Sequence, residues 1–576
     1  MSNITTSRRG FLKNSLFGAA GAVASGTILG VPAAQAAVQK WDETTDLVVI
    51  GWGAAGLTTA IVAAQNGCNV VILERQPESS ARSNTRMSGG MFHTASKDYN
   101  HAALKAYAKA MFSGENIPWK EEGEQPEFSD EMAEYWAQYL PKFMDFMQGL
   151  DPEFKIRLGR NHADGQKSNT AFPDFPGAKD SGYQAGRATY RARGAGNNST
   201  YGKPKLETEY GEAFWQCLMQ GAKKYPQIRV VYDTKAEHLV KNDQGEIIGV
   251  VANQKGKRVT YGSKKAVAIC SGGYEYNKHM RQAFLEGPGV DGWAFYGTLY
   301  NEGDGIRMGM EAGAGLMKVG KCAARMIWPL PIRHNGLRVG TITPVVGRGH
   351  SIVVDNFGKR FAAETLITDD PTRYFFYKEA IHFDIKTLQY PRNPSWLIFD
   401  DKLRRERPVV NFYNSVVGFD FIDYGNRDNS DAVKKGWILK GDTLEELAEK
   451  IRTQKENCNR MDGATLAETV KRFNKFCDDK KDLDFDRRAK TLEPLSEGPF
   501  YAVPLVAGGP NTKGGLAADA KRRVLDWDYK PIPRLFAVGE VASVLKFVYQ
   551  SGGNLTECVV FGQVAGKEIA KLDNVA

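Results

Sequence analysis

The chain has 576 residues, 42% hydrophobic and 25% charged, the composition of a globular protein long enough for two or more domains with sizeable cores. Its formal charge of +9 falls to about +6 when Arg8, Arg9 and Lys13 are set aside, and the remaining basic residues are dispersed. Nucleic-acid binding is unsupported, and seven scattered cysteines without CxxC or CxxCH encode no zinc ribbon, dithiol motif or covalent c-type haem.

The N-terminal stretch "SRRGFLKNSLFGAAGAVASGTILGVPAAQAA" has a basic start, a short apolar middle and a small-residue AQA ending at Ala36. That layout predicts a signal peptide over 1–36, and the Arg8–Arg9 pair makes it resemble a twin-arginine signal. The expected location is the periplasm. A membrane anchor is the competing reading, disfavoured because the apolar run is short and rich in glycine and alanine.

Next comes "TDLVVIGWGAAGLTTAIVAAQNGCNVVILER": a strand, the glycines Gly51, Gly53 and Gly56, an alanine-rich helix, and a second strand closing on Glu74. The glycines suit a tight turn, close approach of a pyrophosphate to a helix N-terminus, and close helix–strand packing. An acid at the end of the second strand suits a ribose hydroxyl. A lone GxGxxG is weak, but here the strand, helix and acid all stand in place, predicting a dinucleotide site. Residues 97–210 are polar, aromatic and glycine-rich, and read as helices and long loops with little strand character. "IRVVYDTKAEHLVKNDQGEIIGVVA" predicts a hairpin turning at NDQGE, "KAVAICSGG" a buried strand, and "NEGDGIRMGMEAGAGL" a glycine turn opening a helix. Within a separate unit over about 316–495, helices are expected after the capping box Thr443-x-x-Glu446 and around "ATLAETVKRFNKF". The end of the chain, with "RLFAVGEVAS", returns to the strand–glycine–helix style of the beginning. The expected architecture is α/β: a Rossmann-like cofactor domain built from 37–315 and 496–576, with an α+β capping domain, 316–495, inserted.

These pieces, in this order, resemble the FAD-dependent family of soluble fumarate reductases, urocanate reductases and 3-ketosteroid Δ1-dehydrogenases. The resemblance rests on GWGAAG with Glu74, "SNTRMSGGM", "SGG" at 271–273, "GDG" at 303–305, "GKRFAAE" at 358–364, "PFYAVPLV", "NTKGGL", "VGEV" and "SGGNLTE". It implies FAD held by Gly51, Gly53, Ala55, Gly56, Glu74, Asn84, Thr85, Gly89, Gly90, Ala236, Asp304, Asn511, Glu540, Leu555 and Thr556. It also implies a late glycine pair, Gly552–Gly553, lying against the flavin ring, with amides beyond it stabilising negative charge on the reduced ring.

The catalytic positions depart from fumarate reductase. The carboxylate-clamping arginine is replaced by Gln550, its histidine pair by Pro510 and Asn511, and its proton-donating arginine by Thr368. The acid–arginine relay falls near Pro344 and Gly347, with Arg348 one place away. Losing these charges together argues against fumarate and for a reacting end that is neutral or weakly charged. Ketosteroid dehydrogenases carry a tyrosine just before the late glycines and a glycine amide that holds the substrate carbonyl, places matched by Tyr549 and Gly553. The expected reaction is reduction of an activated C=C bond, with Tyr549, aided by Arg348, as proton donor and a separate c-type cytochrome or other periplasmic protein as electron donor. Oxidation of a ketosteroid-like ring and electron carriage without an organic substrate stay open. Tyr549 also reads as an aromatic packed beside the flavin. Arg373, Tyr374 and Tyr377 are weaker cap candidates, and His93 and His350 read as structural.

Overall fold

Strand Glu43–Ile50 lies between two parallel neighbours, Val70–Leu73 on one side and Lys257–Ile269 on the other. Val70–Leu73 then pairs with Ile228–Val231, and Lys257–Ile269 with Pro531–Ala537, all parallel. The chain's beginning and end thus share one sheet, as expected. These strands read as near-continuous apolar runs because both faces are covered. On one face, helix Ala54–Gln65 is buried along its whole length except Gln65, pressed by the C-terminal helix Gly553–Ala570. The expected hairpin forms from Thr234–Lys241 and Ile247–Gln254, antiparallel, and extends the sheet along the far end of Lys257–Ile269.

The computed structural model describes residues 40–113, 130–158, 170–190, 208–364, 376–545 and 548–575. The expected signal segment 1–36 and three positions expected in the cap, Thr368, Arg373 and Tyr374, lie outside the described residues. No described helix is long and apolar enough to cross a membrane. All seven cysteines are free thiols.

The region from 97 to 210 differs from expectation. Strands Phe154–Leu158 and Tyr183–Tyr190 pair antiparallel with each other, and Met91–Ala95 and Thr208–Glu209 join them in a four-stranded sheet. These strands are short and far apart in sequence, so no local alternation announced them. The cap is built on a second, seven-stranded sheet in which the strand Phe500–Gly509 carries neighbours on both sides. This sheet takes in Trp293–Phe295 and Phe500–Gly509, so it runs past both ends of the 316–495 interval expected for the cap. Helices Leu444–Arg452 and Gly463–Asp478 cover it. Thr443 Oγ1 accepts from Glu446 N at 3.2 Å as a capping box requires, but the Glu446 carboxylate returns to Asp442 N (2.8 Å), one residue upstream.

The "GKRFAAE" motif owes its residues to a buried ion network in the cap. Arg360 grips Glu364 through Nε (3.1 Å) and Nη2 (2.8 Å), and reaches Asp482 through Nη2 at 2.8 Å. Arg487 adds a contact to Glu364 at 3.3 Å and ties down the carbonyls of Ser351 and Arg348. Burial alone would push the Glu364 carboxyl up, but Arg360 and Arg487 outweigh it and hold it below the usual range. Removing one partner strands buried charge. Glu364→Ala is therefore expected to lower stability by about 3–5 kcal/mol, read from urea unfolding at neutral pH. Because the folded-state pKa is depressed, this contribution is present above the ordinary carboxylate pKa and lost as pH falls through the folded value. The gap between wild type and variant should close on acidification below about pH 4.

Candidate functional site

Ile50, Leu73, Ile269 and Ala537 stand in register across the parallel sheet, so the four strands end together. The residues that follow them, Gly51, Glu74, Cys270 and Val538, line one cavity of about 850 Å3 at the carboxyl ends of the strands, where α/β sheets bind ligands. Gly51, at φ +108°, turns the chain where a Cβ would lie 2.5 Å from Cys270 O, and only glycine fits. Gly53 then caps helix Ala54–Gln65, whose N-terminus faces the cavity, and Thr85 Oγ1 accepts from Ala54 N at 2.9 Å. Glu74 is 6% exposed; its Oε1 accepts from Gln76 N (2.8 Å), and burial pushes its carboxyl up. Asp304 opens its helix at the rim, held by Arg75 (3.0 Å) and Lys235 (3.1 Å). Trp52 Nε1, Ser271 Oγ and Asn301 Nδ2 are buried on residues lining this cavity and bond nothing within the protein. A glycine turn at a helix N-terminus, a buried acid and orphaned polar atoms together fit the adenosine and pyrophosphate half of FAD.

A second cavity, about 1000 Å3, shares the wall residues Asn84, Thr85, Glu540 and Cys558 with the first, so the two adjoin. Gly89, Gly90, Asn511, Tyr549 and Leu555 line it. Asn511 Nδ2 donates to Thr512 O (2.7 Å), which leaves its Oδ1 to accept from Asn554 Nδ2 (2.7 Å). That chain of bonds fixes the Asn554 amide with Oδ1 as a buried acceptor without a protein partner on the cavity wall. Asn554 and Leu555 also sit in the first turn of helix Gly553–Ala570, where amides have no intrahelical acceptor.

Three buried polar groups support this floor. Glu540 receives Asn84 Nδ2 at 3.1 Å and lies beside Glu275; burial, then the neighbouring Glu275 carboxylate, drive its pKa upward. Lys513 and Glu557 form an ion pair at 3.0 Å, 1% and 2% exposed at their side chains. His93 is fully buried, its pKa lowered by desolvation to about 4. The neutral ring donates from Nε2 to Ser551 O (2.6 Å), since a carbonyl only accepts, and so takes the Tyr183 hydroxyl at Nδ1. His93 thereby clamps the chain just before Gly552–Gly553.

The structure gathers Gly51, Gly53, Ala55, Glu74, Asn84, Thr85, Ala236, Asp304 and Glu540 around the first cavity, and Tyr549 with Gly89, Gly90, Asn511 and Leu555 around the second. Gly56 and Thr556 stand behind these walls. A Cβ on Gly56 would meet Gly51 O at 2.1 Å, and Thr556 Oγ1 receives His93 N (2.8 Å). Two catalytic expectations need correction. Gly553 N donates to Gln550 O at 2.9 Å, and Gly553 packs on Leu545 away from the cavity lining, so its amide is not presented to a substrate carbonyl. Arg348 is absent from that lining too; its Nε turns back to Pro344 O (3.1 Å). Gln550 also points away, its Oε1 taking the Tyr107 hydroxyl at 2.5 Å within the core. His350 bonds Pro494 O (2.7 Å), and Tyr377 packs on Trp293, both in cap structure.

Sequence reasoning missed Trp52 and Ser271 in the first cavity, and Arg187, Tyr296, Arg325, Asn411 and Asn414 in the second. Arg187 rides the unannounced strand Tyr183–Tyr190, with its guanidinium 5.0 Å over the ring of Tyr210, which stacks on Tyr413 of the cap. Asn411 and Asn414, the two ends of "NFYN", add side-chain amides to the cap wall.

A parallel sheet with a dinucleotide cavity at its strand ends, adjoining a capped chamber, is the arrangement of a flavoprotein oxidoreductase. The chain belongs to the FAD binding domain family, whose model matches residues 46–555. It is 26% identical over 530 residues to the probable fumarate reductase Ifc3 of Shewanella frigidimarina, covering 92% of this chain and 75% of that one. It is also 26% identical over 590 residues to the 3-oxosteroid 1-dehydrogenase of Mycolicibacterium smegmatis, covering 91% and 97%. The solved 3-ketosteroid Δ1-dehydrogenase from Sterolibacterium denitrificans has the same fold, with a TM-score of 0.71 at 21% identity over 92% of this chain and 99% of that one. The protein is an FAD-dependent oxidoreductase acting on CH–CH groups.

Gly273 sits where a Cβ would lie 2.1 Å from Thr512 Oγ1 and 2.3 Å from Glu540 Oε1. Gly273→Ala should displace the Glu540 carboxyl and lower FAD occupancy to less than about half, read from the ratio of visible flavin absorbance to protein absorbance. Acid precipitation of the wild type should release FAD and no FMN.

Proposed function

We propose that this protein is an exported reductase of the activated C=C bond of α,β-unsaturated carbonyl compounds, with Tyr549 as proton donor. The observation that carries the reading is the placement of Tyr549 on the wall of a chamber that shares Asn84, Thr85, Glu540 and Cys558 with the dinucleotide cavity. FAD, when bound along the adjoining cavities, supplies hydride to the β-carbon of the substrate. Gly51, Gly53, Glu74, Asn84, Thr85, Glu540 and Leu555 would hold it. Tyr549 keeps a proton at its phenol oxygen and delivers it to the α-carbon. The first-turn amides of Asn554 and Leu555 stabilise negative charge at that end of the chamber. The cap wall, with Tyr296, Asn411 and Asn414, excludes water from the reacting atoms.

Fumarate suits this chamber poorly. Gln550 is turned into the core and Pro510 bears no charge, while Arg187 and Arg325 line the chamber from strands Tyr183–Tyr190 and Arg325–His334. The electron donor is proposed to be a separate c-type cytochrome or other periplasmic protein. Export is proposed to follow the twin-arginine route.

The decisive test is anaerobic. The chemically reduced holoenzyme is mixed with enones, aryl acrylates, fumarate and saturated ketosteroids, and flavin reoxidation is followed. Reoxidation by an enone or acrylate, at least about tenfold faster than by fumarate, is expected. Silence with every alkene sinks the reading, and bleaching of the oxidised enzyme by a ketosteroid reverses its direction. Tyr549→Phe should retain FAD and reduction by an artificial donor, yet lose roughly 10²–10⁴-fold in alkene turnover.

Replacing Arg8 and Arg9 together by lysine should leave uncleaved precursor in the cytoplasm, read by fractionation and immunoblot. Normal cleavage after Ala36 in that variant would remove the twin-arginine assignment.

A further inference from the structure

Behind the chamber wall, strand Thr512–Leu516 carries a lysine into the protein interior. The Lys513 ammonium donates to Glu557 Oε1 at 3.0 Å and to Ser543 Oγ at 3.0 Å, and its Nζ stands 5.1 Å from the ring centroid of Tyr549. The Glu557 carboxylate is held from its other side by Ser543 Oγ (2.9 Å) and Val544 N (2.9 Å). The positive end of the pair is thereby presented to the tyrosine ring. An interior ion pair is an inefficient way to fill space, because apolar residues of similar volume serve stability as well or better.

We infer that Lys513 is a positioning residue for Tyr549: it fixes the ring by a cation–π contact and stabilises the phenolate left when the proton has gone. The inference rests on the reading of Tyr549 as donor. In the step, the phenol O–H bond breaks, and the electron pair of the substrate enolate takes the proton to form the C–H bond at the α-carbon. Negative charge passes to the phenolate, whose ring centroid lies 5.1 Å from an ammonium that keeps its three protons. Solvent then returns a proton to the phenolate. The groups that titrate or carry charge around Lys513 are Glu557 and Cys558 on the C-terminal helix, Glu540 on its turn, Tyr549, and Arg522, which faces Glu557 from the adjoining loop.

The test uses the holoenzyme and four variants: Lys513→Met, Lys513→Arg, Tyr549→Phe, and Lys513→Met combined with Tyr549→Phe. FAD content is measured first. Where Lys513→Met loses cofactor, Lys513→Gln with Glu557→Gln removes both charges without stranding the carboxylate. In the Tyr549 enzyme, Lys513→Met should lower alkene turnover roughly ten- to a hundredfold and move the basic limb of its pH profile to higher pH, because an unassisted phenol holds its proton longer. Lys513→Arg should restore turnover to within about threefold. In the Tyr549→Phe background the same loss of Lys513 should cost less than about twofold, since no phenolate forms. Equal losses in both backgrounds, or an unmoved basic limb, overturn the inference while leaving Tyr549 as donor. Full turnover by Tyr549→Phe alone overturns the donor reading, and the inference with it.

Discussion

Four parallel strands that stop at the same level are the constraint from which the site follows. Ile50, Leu73, Ile269 and Ala537 are held in register by ladder hydrogen bonds, so the residues after them emerge side by side. One supplies the glycine turn, one the buried acid, one the SGG loop and one the VGEV turn. None of these short motifs makes a site alone. Each is a strand end, and the sheet brings the ends together at the N-terminus of helix Ala54–Gln65. The C-terminal helix then packs across that helix and sets its own first turn over the neighbouring chamber.

Electrostatics in the interior is settled pair by pair. The cap carries a network of two arginines on two carboxylates, all at most a few per cent exposed at their side chains. Beneath the chamber lie one ion pair, one carboxyl whose pKa is raised by burial and by a second carboxylate, and one histidine kept neutral by desolvation. The first network holds structure and would be costly to break. The second group surrounds the place where charge develops, which is where a chain tolerates buried polar groups that an apolar core would replace.

The sequence was most readable where the physics is local. A strand, three glycines, a helix and an acid fall within one βαβ unit, and their spacing alone predicted the turn and the packing of Gly56 under Gly51. The hairpin at NDQGE and the cap helices were legible for the same reason. The sheet of Met91–Ala95, Phe154–Leu158 and Tyr183–Tyr190 was not, because its strands pair over long separations through a glycine-rich region. Arg187 stayed hidden with it. Residue identity also proved easier to read than direction. Gln550 was recognised as a missing charge, yet its side chain turns to Tyr107. Gly553 was placed at the right turn, yet its amide is spent on Gln550 O.

The pairing of Lys257–Ile269 with Pro531–Ala537 also bears on when the molecule becomes itself. The edge of the cofactor sheet comes from the last tenth of the chain, after the whole cap has been made. Closing that pairing ties up a very long loop, and the last helix must dock before either cavity has a complete wall. A nascent chain on the ribosome therefore completes neither the cap sheet, whose halves are joined by Phe500–Gly509, nor the flavin site until its C-terminal part has been made. Cofactor capture reports on completion of synthesis, and truncation near the C-terminus removes the site rather than merely loosening it.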